Sequence, residues 1–304
     1  MVRVLRSPLD SLGCTLLPAS CSLCGSPLPR LSSVPICAAC WSEFSVSEGP
    51  ACARCGDALK VSSGSSFSTL CRACRLAPPP FVRAVSYGLY QGRMREAIHA
   101  LKYDRLHPAA SGLGRLLAEA IGQLAGEAPA KMLVIPIPLH RSKYAQRGFN
   151  QARSIAAEAL RSLRKSHPDW RLTLAASTLM RLRPTESQAG LTPRQRRLNL
   201  RRAFSVSDPS QVNLRHVLLI DDILTTGATA RSAAQTLVEA GAASVWVATL
   251  ARAQRVGGFG GNSVYEDEKH EEEGAGTRPA DGLHAGGISP DSSGTSTLQD
   301  QPSF

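Results

Sequence analysis

One stretch of thirteen residues constrains the fold of this chain more than any other. Residues 217–229 read VLLIDDILTTGAT. The four apolar residues at its start are typical of a parallel strand that is buried on both faces. From residue 230 onward, apolar side chains recur at helical spacing, so a helix is predicted there. The stretch therefore predicts a strand, a polar loop and a helix N-terminus in direct succession.

The loop of this unit has the chemistry of an anion-binding site. Backbone N–H groups without helical partners and the positive end of the helix dipole point toward the residues that precede a helix. Gly227 lacks a side chain, so the backbone there can approach an oxygen atom closely. Phosphate is the natural occupant, and the predicted phosphate-binding residues are Thr225, Thr226, Gly227, Ala228 and Thr229.

Two carboxylates, Asp221 and Asp222, stand just before that loop. Carboxylates accept hydrogen bonds from a ribose diol, and a phosphate site beside a diol site describes ribose 5-phosphate. The alternative is an ordinary helix cap with two solvated acids. The stretch resembles the phosphoribosyl diphosphate (PRPP) signature of type I phosphoribosyltransferases.

The cysteines form a second informative pattern, because eight of the nine fall in four CxxC pairs. Two thiolates at this spacing can reach one ion, and four complete a tetrahedral zinc site. The ninth, Cys14, lies in an apolar segment and is predicted to be a packed thiol. The four CxxC pairs therefore predict two structural zinc ions. The predicted ligands are Cys21, Cys24, Cys37, Cys40, Cys52, Cys55, Cys71 and Cys74.

The order of the pairs indicates a duplicated unit. The first and third pairs are each followed by glycine, Gly25 and Gly56, and the corresponding pairs repeat at offsets of 31 and 34 residues. Two sequential ribbons are favoured, and an interleaved cross-brace stays open. A disulfide framework would need an oxidising compartment, which nothing in the sequence indicates, and a redox role would suit a single pair.

Charge and composition divide the chain into three parts. Residues 1–253 carry 32 basic and 15 acidic groups, a net charge of +17, whereas residues 254–304 carry three basic and nine acidic groups. The predicted domains are a double zinc ribbon module at 1–80, an α/β domain at 81–253 and a disordered acidic tail at 254–304. A basic folded part should attract polyanions, either a sugar pyrophosphate or a nucleic acid.

Two segments of the α/β domain concentrate basic side chains. Residues 139–148 follow a predicted buried strand and include Arg147 but no acidic residue, so they are predicted to form a second anion-binding loop; a solvated surface is the alternative. Residues 181–202, with Arg197, are rich in arginine and contain one acid, and are predicted to form a mobile, anion-seeking loop.

The chain lacks a stretch that approaches the ~20 apolar residues of a membrane span. Its first twenty residues are interrupted by Asp10 and Pro18 and do not form a convincing signal-peptide core. A cytoplasmic protein is predicted.

Taken together, these segments resemble the ComF family, in which a double zinc ribbon precedes a type I phosphoribosyltransferase domain. The resemblance covers roughly residues 9–253. It is carried by the CxxC pairs, by 101–103, 135–152 and a pattern over 185–204, and by the PRPP signature. It implies an α/β, type I phosphoribosyltransferase fold with a central parallel sheet. It also implies an association with single-stranded DNA and the DNA-uptake machinery of natural transformation.

The resemblance also implies roles for single residues. Asp221 and Asp222 would bind the ribose hydroxyls, and residues 225–229 would surround the 5′-phosphate. Arg147 and the 139–148 segment would hold the pyrophosphate together with Mg²⁺, and Arg197 would contribute to substrate binding. The reaction would displace pyrophosphate at the anomeric carbon, so positioning and neutralisation of the leaving group would supply the catalysis.

Two functions of different classes remain open from the sequence. One is a Mg²⁺-dependent phosphoribosyltransferase with an unknown acceptor. The other is a non-catalytic competence factor that handles single-stranded DNA and keeps the pocket for PRPP or a 5′-phosphorylated DNA end. The intact signature favours the first, and the charge excess and the zinc module favour the second.

Overall fold

The computed structural model describes residues 19–28, 34–46, 49–59, 69–103, 108–183 and 203–254. Arg197, Cys14 and, after its first residue, the predicted acidic tail lie outside these ranges. Among the described helices, none combines the length and the apolar character needed to cross a membrane.

A parallel sheet forms the centre of the larger domain. The strands are β1 (Ala84–Leu89), β2 (Lys131–Pro136), β3 (Arg171–Leu174), β4 (Leu179–Arg181), β5 (Phe204–Val206), β6 (His216–Leu224) and β7 (Ser244–Arg252). Five of them pair in the order β1-β7-β6-β2-β3, and every pairing in this sheet is parallel. β4 and β5 form a separate antiparallel pair. The predicted α/β class with a central parallel sheet is confirmed.

Helices cover both faces of this sheet. They are α1 (Ala38–Ser42), α2 (Arg72–Leu76), α3 (Gly92–Tyr103), α4 (Ala109–Gly122), α5 (Arg141–Arg147), α6 (Gln151–Ser166) and α7 (Ala228–Glu239). Leu218 and Ile220 of β6 pack in the same apolar cluster as α4 and α6, whereas Val217 and Leu219 pack with α7. Side chains alternate along a strand, so the run of apolar residues in β6 supplies both faces.

The connections place a crevice between β2 and β6. From β2 the chain passes through α6 to β3 on one side, and from β6 it passes through α7 to β7 on the other. Neighbouring strands whose connections diverge in this way mark a topological switch point, and ligands of open α/β sheets bind there, outside the carboxyl ends of the strands. The ends of β2 and β6 carry the two segments predicted to bind anions.

The two zinc-ribbon units repeat the same local structure. Each contains an isolated antiparallel bridge, Ser20 with Pro27 and Ala51 with Ala58, and each has a short helix whose N-cap is a cysteine. The glycine after the first CxxC pair of each unit has a positive φ, 73° at Gly25 and 68° at Gly56. The predicted duplication is therefore present in the backbone.

The first ribbon packs directly on the α/β domain. Trp41 lies so close to Gly112 of α4 that a Cβ added at this glycine would fall 2.2 Å from the indole ring. Tyr87 of β1 donates a hydrogen bond from its hydroxyl to the carbonyl oxygen of Phe44 at 3.3 Å. The small ribbon thus completes its burial with apolar surface from the larger domain.

Three local features differ from the sequence prediction. β6 continues through both aspartates to Leu224, because its pairing with β7 extends to that residue. Part of the predicted loop 139–148 is the helix α5, which His140 caps at its start and Gly148 ends with φ 77°. The edge strand β3, only four residues long, was not predicted.

Candidate functional site

The Asp221–Asp222 pair lies at the carboxyl end of β6, at the switch point of the sheet. Asp222 is 5% exposed and forms an ion pair with Lys102 of α3, with Nζ 3.3 Å from Oδ2. The side-chain amide of Gln151, the first residue of α6, donates to the same oxygen at 3.4 Å. Two helices from distant parts of the chain therefore fix the orientation of Asp222.

The two carboxyl groups of this pair have opposite pKa shifts. Burial, followed by the charge of Asp222, raises the pKa of Asp221 well above its usual range, although the residue keeps some contact with solvent. Burial also opposes ionisation of Asp222, but the charge of Lys102 and hydrogen bonding with Asp221 outweigh it and lower that pKa. Ionisation is thus favoured at Asp222 over Asp221.

Arg147 lies at the end of α5 and faces the same pair. Its Nη2 donates to the hydroxyl of Tyr103 at 3.0 Å, and its guanidinium carbon lies 4.8 Å from the centre of the Tyr103 ring. The positive charge of Arg147 contributes to lowering the pKa of Asp222. The structure therefore brings the predicted Arg147 and the predicted aspartates into one electrostatic site.

The phosphate loop, residues 225–229, leads from β6 into α7. Gly227 is the N-cap of α7 and has φ 75°, a conformation that a residue with a side chain rarely adopts. The hydroxyl of Thr226 accepts a hydrogen bond from the Ala228 amide at 3.3 Å. α7 is twelve residues long, and its N-terminal amides point toward this loop. This arrangement suits a phosphate group.

Asn150 holds the other side of the crevice. The side-chain nitrogen of Asn150 donates a hydrogen bond to the carbonyl oxygen of Ile137 at 3.0 Å. Its side-chain oxygen accepts a hydrogen bond from the backbone amide of Arg153 at 3.2 Å. The backbone amide of Ile137 donates a hydrogen bond to the carbonyl oxygen of Ile220 at 2.8 Å. The pairing with β6 therefore continues one residue past the end of β2. The basic segment 139–148 is thereby held beside the aspartate pair.

The sequence prediction missed Lys102, Tyr103 and Gln151 as site residues. The sequence carried a weak signal for them, because all three lie in segments on which the family resemblance rests. Lys102 and Tyr103 lie in 101–103, and Gln151 lies in 135–152. Their contact with Asp222 and Arg147 is set by helix packing, which local sequence patterns do not encode.

Arg181, at the start of the arginine-rich segment 181–202, lies close enough to Asp221 to interact with its charge. Its guanidinium carbon is 5.5 Å from the centre of the Phe204 ring. Burial lowers the pKa of Arg181, and the charge of Asp221 acts against that effect. The described end of the segment thus adds positive charge to the site.

The cysteines gather in two clusters that follow their order in the chain. The first contains Cys21, Cys24, Cys37 and Cys40 and the second contains Cys52, Cys55, Cys71 and Cys74, with the four sulfur atoms of each cluster within 4.8 Å of one another. This is the sequential pairing that the spacing favoured, and the interleaved cross-brace is not formed. None of the eight described cysteines forms a disulfide bond.

The clusters suit zinc by distance and by chemistry. Sulfur atoms are 3.8 Å apart between Cys21 and Cys40 and 3.7 Å apart between Cys55 and Cys71. The edge of a tetrahedron with Zn–S bonds of about 2.3 Å is about 3.8 Å, far longer than a disulfide bond. Backbone amides also donate to the sulfurs, as from Cys37 to Cys21 at 3.3 Å. Four such thiolates would hold one zinc ion in each cluster.

Comparison with known proteins gives a match to the ribbons and matches to most of the chain. Residues 13–75 match the double zinc ribbon domain. The DNA utilization protein YhgH of Escherichia coli is 33% identical over 238 residues, which span 78% of this chain and 98% of that protein. Competence protein F of Haemophilus influenzae is 27% identical over 234 residues, 76% of this chain and 90% of the relative.

Among solved structures, the glutamine PRPP amidotransferase of B. subtilis, complexed with ADP and GMP, is similar to 47% of this chain. The match covers 26% of the amidotransferase, with 22% sequence identity and a TM-score of 0.28.

The fold and the two cysteine clusters define a class of protein in which a double zinc ribbon is joined to an α/β domain with a parallel sheet. The chain belongs to the ComF family.

Proposed function

We propose that the chain binds PRPP, or another 5′-phosphorylated ribose, with Mg²⁺ in the crevice between β2 and β6. The observation that carries this proposal is the placement of the Asp221–Asp222 pair, which lies at the switch point of the sheet and directly before the phosphate loop. The corresponding reaction is transfer of the phosphoribosyl group to an acceptor, with loss of pyrophosphate.

Each part of the site has a distinct task in this proposal. The amides of the phosphate loop and of the α7 N-terminus hold the 5′-phosphate. The aspartates accept hydrogen bonds from the ribose hydroxyls, and Lys102 keeps Asp222 ionised and oriented for this. Arg147 neutralises the pyrophosphate as its bond to the anomeric carbon breaks, so catalysis comes from positioning and charge stabilisation.

The residues of the site fit a Mg²⁺ ion that takes most of its ligands from substrate and water. Asp222 is already paired with Lys102, which leaves Asp221 as the carboxylate best able to contribute. Mg²⁺ is usually bound through one or two carboxylates together with substrate phosphates. When bound, the ion would neutralise developing charge on the pyrophosphate oxygens.

The test is calorimetry of Mg²⁺–PRPP binding to the wild type and to the double variant Asp221→Asn with Asp222→Asn. Hydrogen bonds to charged groups contribute ~1.5–3 kcal/mol each, so we expect the affinity to fall by tens-fold or more. The control is Asp169→Asn, which changes an exposed carboxylate between α6 and β3, near the amino ends of the strands and away from the site. Equal affinity of the wild type and the double variant would refute the proposal.

A second candidate function is handling of single-stranded DNA on the cytoplasmic side of DNA uptake. It is supported by the net charge of +17 over residues 1–253 and by relatives named a DNA utilization protein and a competence protein. In this case the crevice would hold a 5′-phosphorylated DNA end or PRPP as a regulatory ligand, and the ribbons would provide contact surface.

A further inference from the structure

Arg252 is a buried arginine for which the proposed reaction has no use. It is the last residue of β7 and is 3% exposed. Its register partner on β6 is Leu224, the last strand residue before the phosphate loop. Nη1 of Arg252 donates to the carbonyl oxygens of Leu224 and Thr225 at 3.3 and 3.0 Å. The side chain therefore fixes the point at which the phosphate loop leaves the sheet.

The other terminal nitrogen of the same guanidinium faces the second zinc ribbon. Nη2 lies 3.4 Å from Oδ1 of Asp57, which is 7% exposed. Asp57 follows Cys55 by two residues, and its carbonyl oxygen accepts a hydrogen bond from the Cys52 amide at 2.8 Å. Loss of one member of a buried ion pair destabilises the other, so each contributes to the orientation of its partner.

Two further contacts join this ribbon to the same region. Arg231, in the first turn of α7, donates to the carbonyl oxygen of Ala77 at 2.9 Å, at the exit of the ribbon. Three cysteines of the second cluster also pack in one apolar cluster with Leu224 and Ala230, which flank the phosphate loop. The second ribbon and its exit therefore contact Arg252 and Arg231, which lie near the two ends of the loop.

The first ribbon contacts the domain elsewhere. Its Glu43 lies 3.5 Å from the Nε of Arg93 on α3, and Arg93 also pairs with Glu96 and donates to Leu23. These contacts of the first ribbon lie on α3 and not at the phosphate loop. The two ribbons thus occupy different positions relative to the site.

We propose that Arg252 is a positioning residue that couples the second zinc ribbon to the phosphate loop. Through it, Asp57 contributes to binding of a 5′-phosphate that it does not touch. The identity of the ligand rests on the proposed function, whereas the coupling itself rests on the contacts of Arg252. The first ribbon has no such role.

The experiment compares the full-length, zinc-loaded wild type with Asp57→Asn and with the control Glu43→Gln, which breaks an ion pair between the first ribbon and the domain. Calorimetry measures the binding of PRPP, ribose 5-phosphate and pyrophosphate, each with Mg²⁺. We expect Asp57→Asn to weaken the binding of PRPP and ribose 5-phosphate by about tenfold, because the phosphate loop is held less firmly in its binding position. Pyrophosphate affinity should stay within about twofold, because Arg147 and not the phosphate loop binds that group.

Several outcomes would overturn the coupling. One is unchanged affinity for ribose 5-phosphate in a folded Asp57→Asn variant that retains two zinc ions. Another is equal weakening of all three ligands, which would indicate a general loss of structure. A third is an equal effect of Glu43→Gln. If Asp57→Asn does not fold, the double variant Asp57→Asn with Arg252→Gln replaces it, because removal of both charges avoids an unpaired buried arginine.

A measurement without ligand separates this inference from the proposed function. Hydrogen exchange of the amides at 225–230 should be faster in Asp57→Asn than in the wild type or in Glu43→Gln. This result would support the coupling even if the wild type failed to bind PRPP. Equal exchange rates in the three proteins would overturn it, whatever the ligand is.

Discussion

At the scale of single residues, the aspartate pair combines two opposing electrostatic effects. Asp222 is stabilised as a carboxylate by Lys102, whereas burial and the neighbouring charge disfavour ionisation of Asp221. A carboxyl group whose ionisation is disfavoured before the ligand binds is typical of functional sites, where binding and stability are in competition.

We predict that Asp221→Asn gains stability relative to the wild type as the pH rises. A raised folded-state pKa does not lower the free energy of unfolding at pH values below the ordinary carboxyl pKa, because the group is then protonated in both the folded and unfolded states. The destabilisation of the folded state grows as the pH rises from the ordinary carboxyl pKa through the folded-state pKa of Asp221. Urea unfolding at a series of pH values measures this difference.

Asp222→Asn is the matched comparison and should behave in the opposite sense. The lowered pKa of Asp222 contributes stability that is present above the ordinary carboxyl pKa and is lost as the pH falls through the folded-state value. At neutral pH we expect this variant to be less stable than the wild type by on the order of 3 kcal/mol, because the buried ion pair between Asp222 and Lys102 is lost. Identical pH profiles for the two variants would show that the opposite shifts are wrong.

At the scale of elements, the ribbons have too little secondary structure to stand alone. Their helices α1 and α2 are five residues long, well below the length at which a helix is stable in water. Buried Cys40 and Cys74 have raised pKa values, because burial and neighbouring sulfurs disfavour the thiolate. A divalent cation would offset both effects, so metal binding and folding of the ribbons should be coupled.

We predict two zinc ions per chain by metal analysis after gel filtration. Cys24→Ser and Cys55→Ser should each leave one ion, since they belong to different clusters. The control is Cys14→Ser, which should keep both ions. Because both ribbons share apolar clusters with the α/β domain, chelation should also lower the unfolding temperature of the whole chain. Loss of both ions in either single variant would contradict two independent sites.

At the scale of the whole molecule, basic charge is spread over more surface than one pyrophosphate needs. Residues 1–253 carry a net charge of +17, and the crevice gathers Lys102, Arg147 and Arg181 around two carboxylates. Such a field would draw any polyanion toward the carboxyl edge of the sheet. Affinity alone therefore does not separate a sugar pyrophosphate from a nucleic acid, but the dependence on salt does.

We predict that Arg147→Ala weakens PRPP binding and also flattens the salt dependence of single-stranded DNA binding by roughly 0.7 in log–log slope, the value for one lost phosphate contact. The control is Arg161→Ala on α6, about 15 Å along the helix from the site and paired with Glu158. An unchanged slope in Arg147→Ala would separate the PRPP site from any DNA surface. A wild type without salt-dependent DNA binding at low ionic strength would remove the second candidate function.

The sequence by itself determined the elements whose signal is local. Four CxxC pairs with a repeated glycine indicate two ribbons, because a tetrahedral site needs its thiolates in closely spaced pairs on tight turns. An apolar run followed by acids, Gly227 and a helical period indicates β6, the phosphate loop and α7. The clusters are present as predicted, and the strand, loop and helix follow in the predicted order, although β6 extends through both aspartates to Leu224. Arg197 and residues 255–304 lie outside the described residues.

Only the tertiary structure decided which distant residues meet. The strand order brings the segment after β2 to the end of β6, and the packing of α3 and α6 brings Lys102 and Gln151 to Asp222. Packing of the second ribbon on the domain places Asp57 against Arg252 at the end of β7. These contacts follow from how the apolar faces of the helices, ribbons and sheet are buried together. The periodicity of a segment specifies the face it buries, but it does not specify the partner that covers that face.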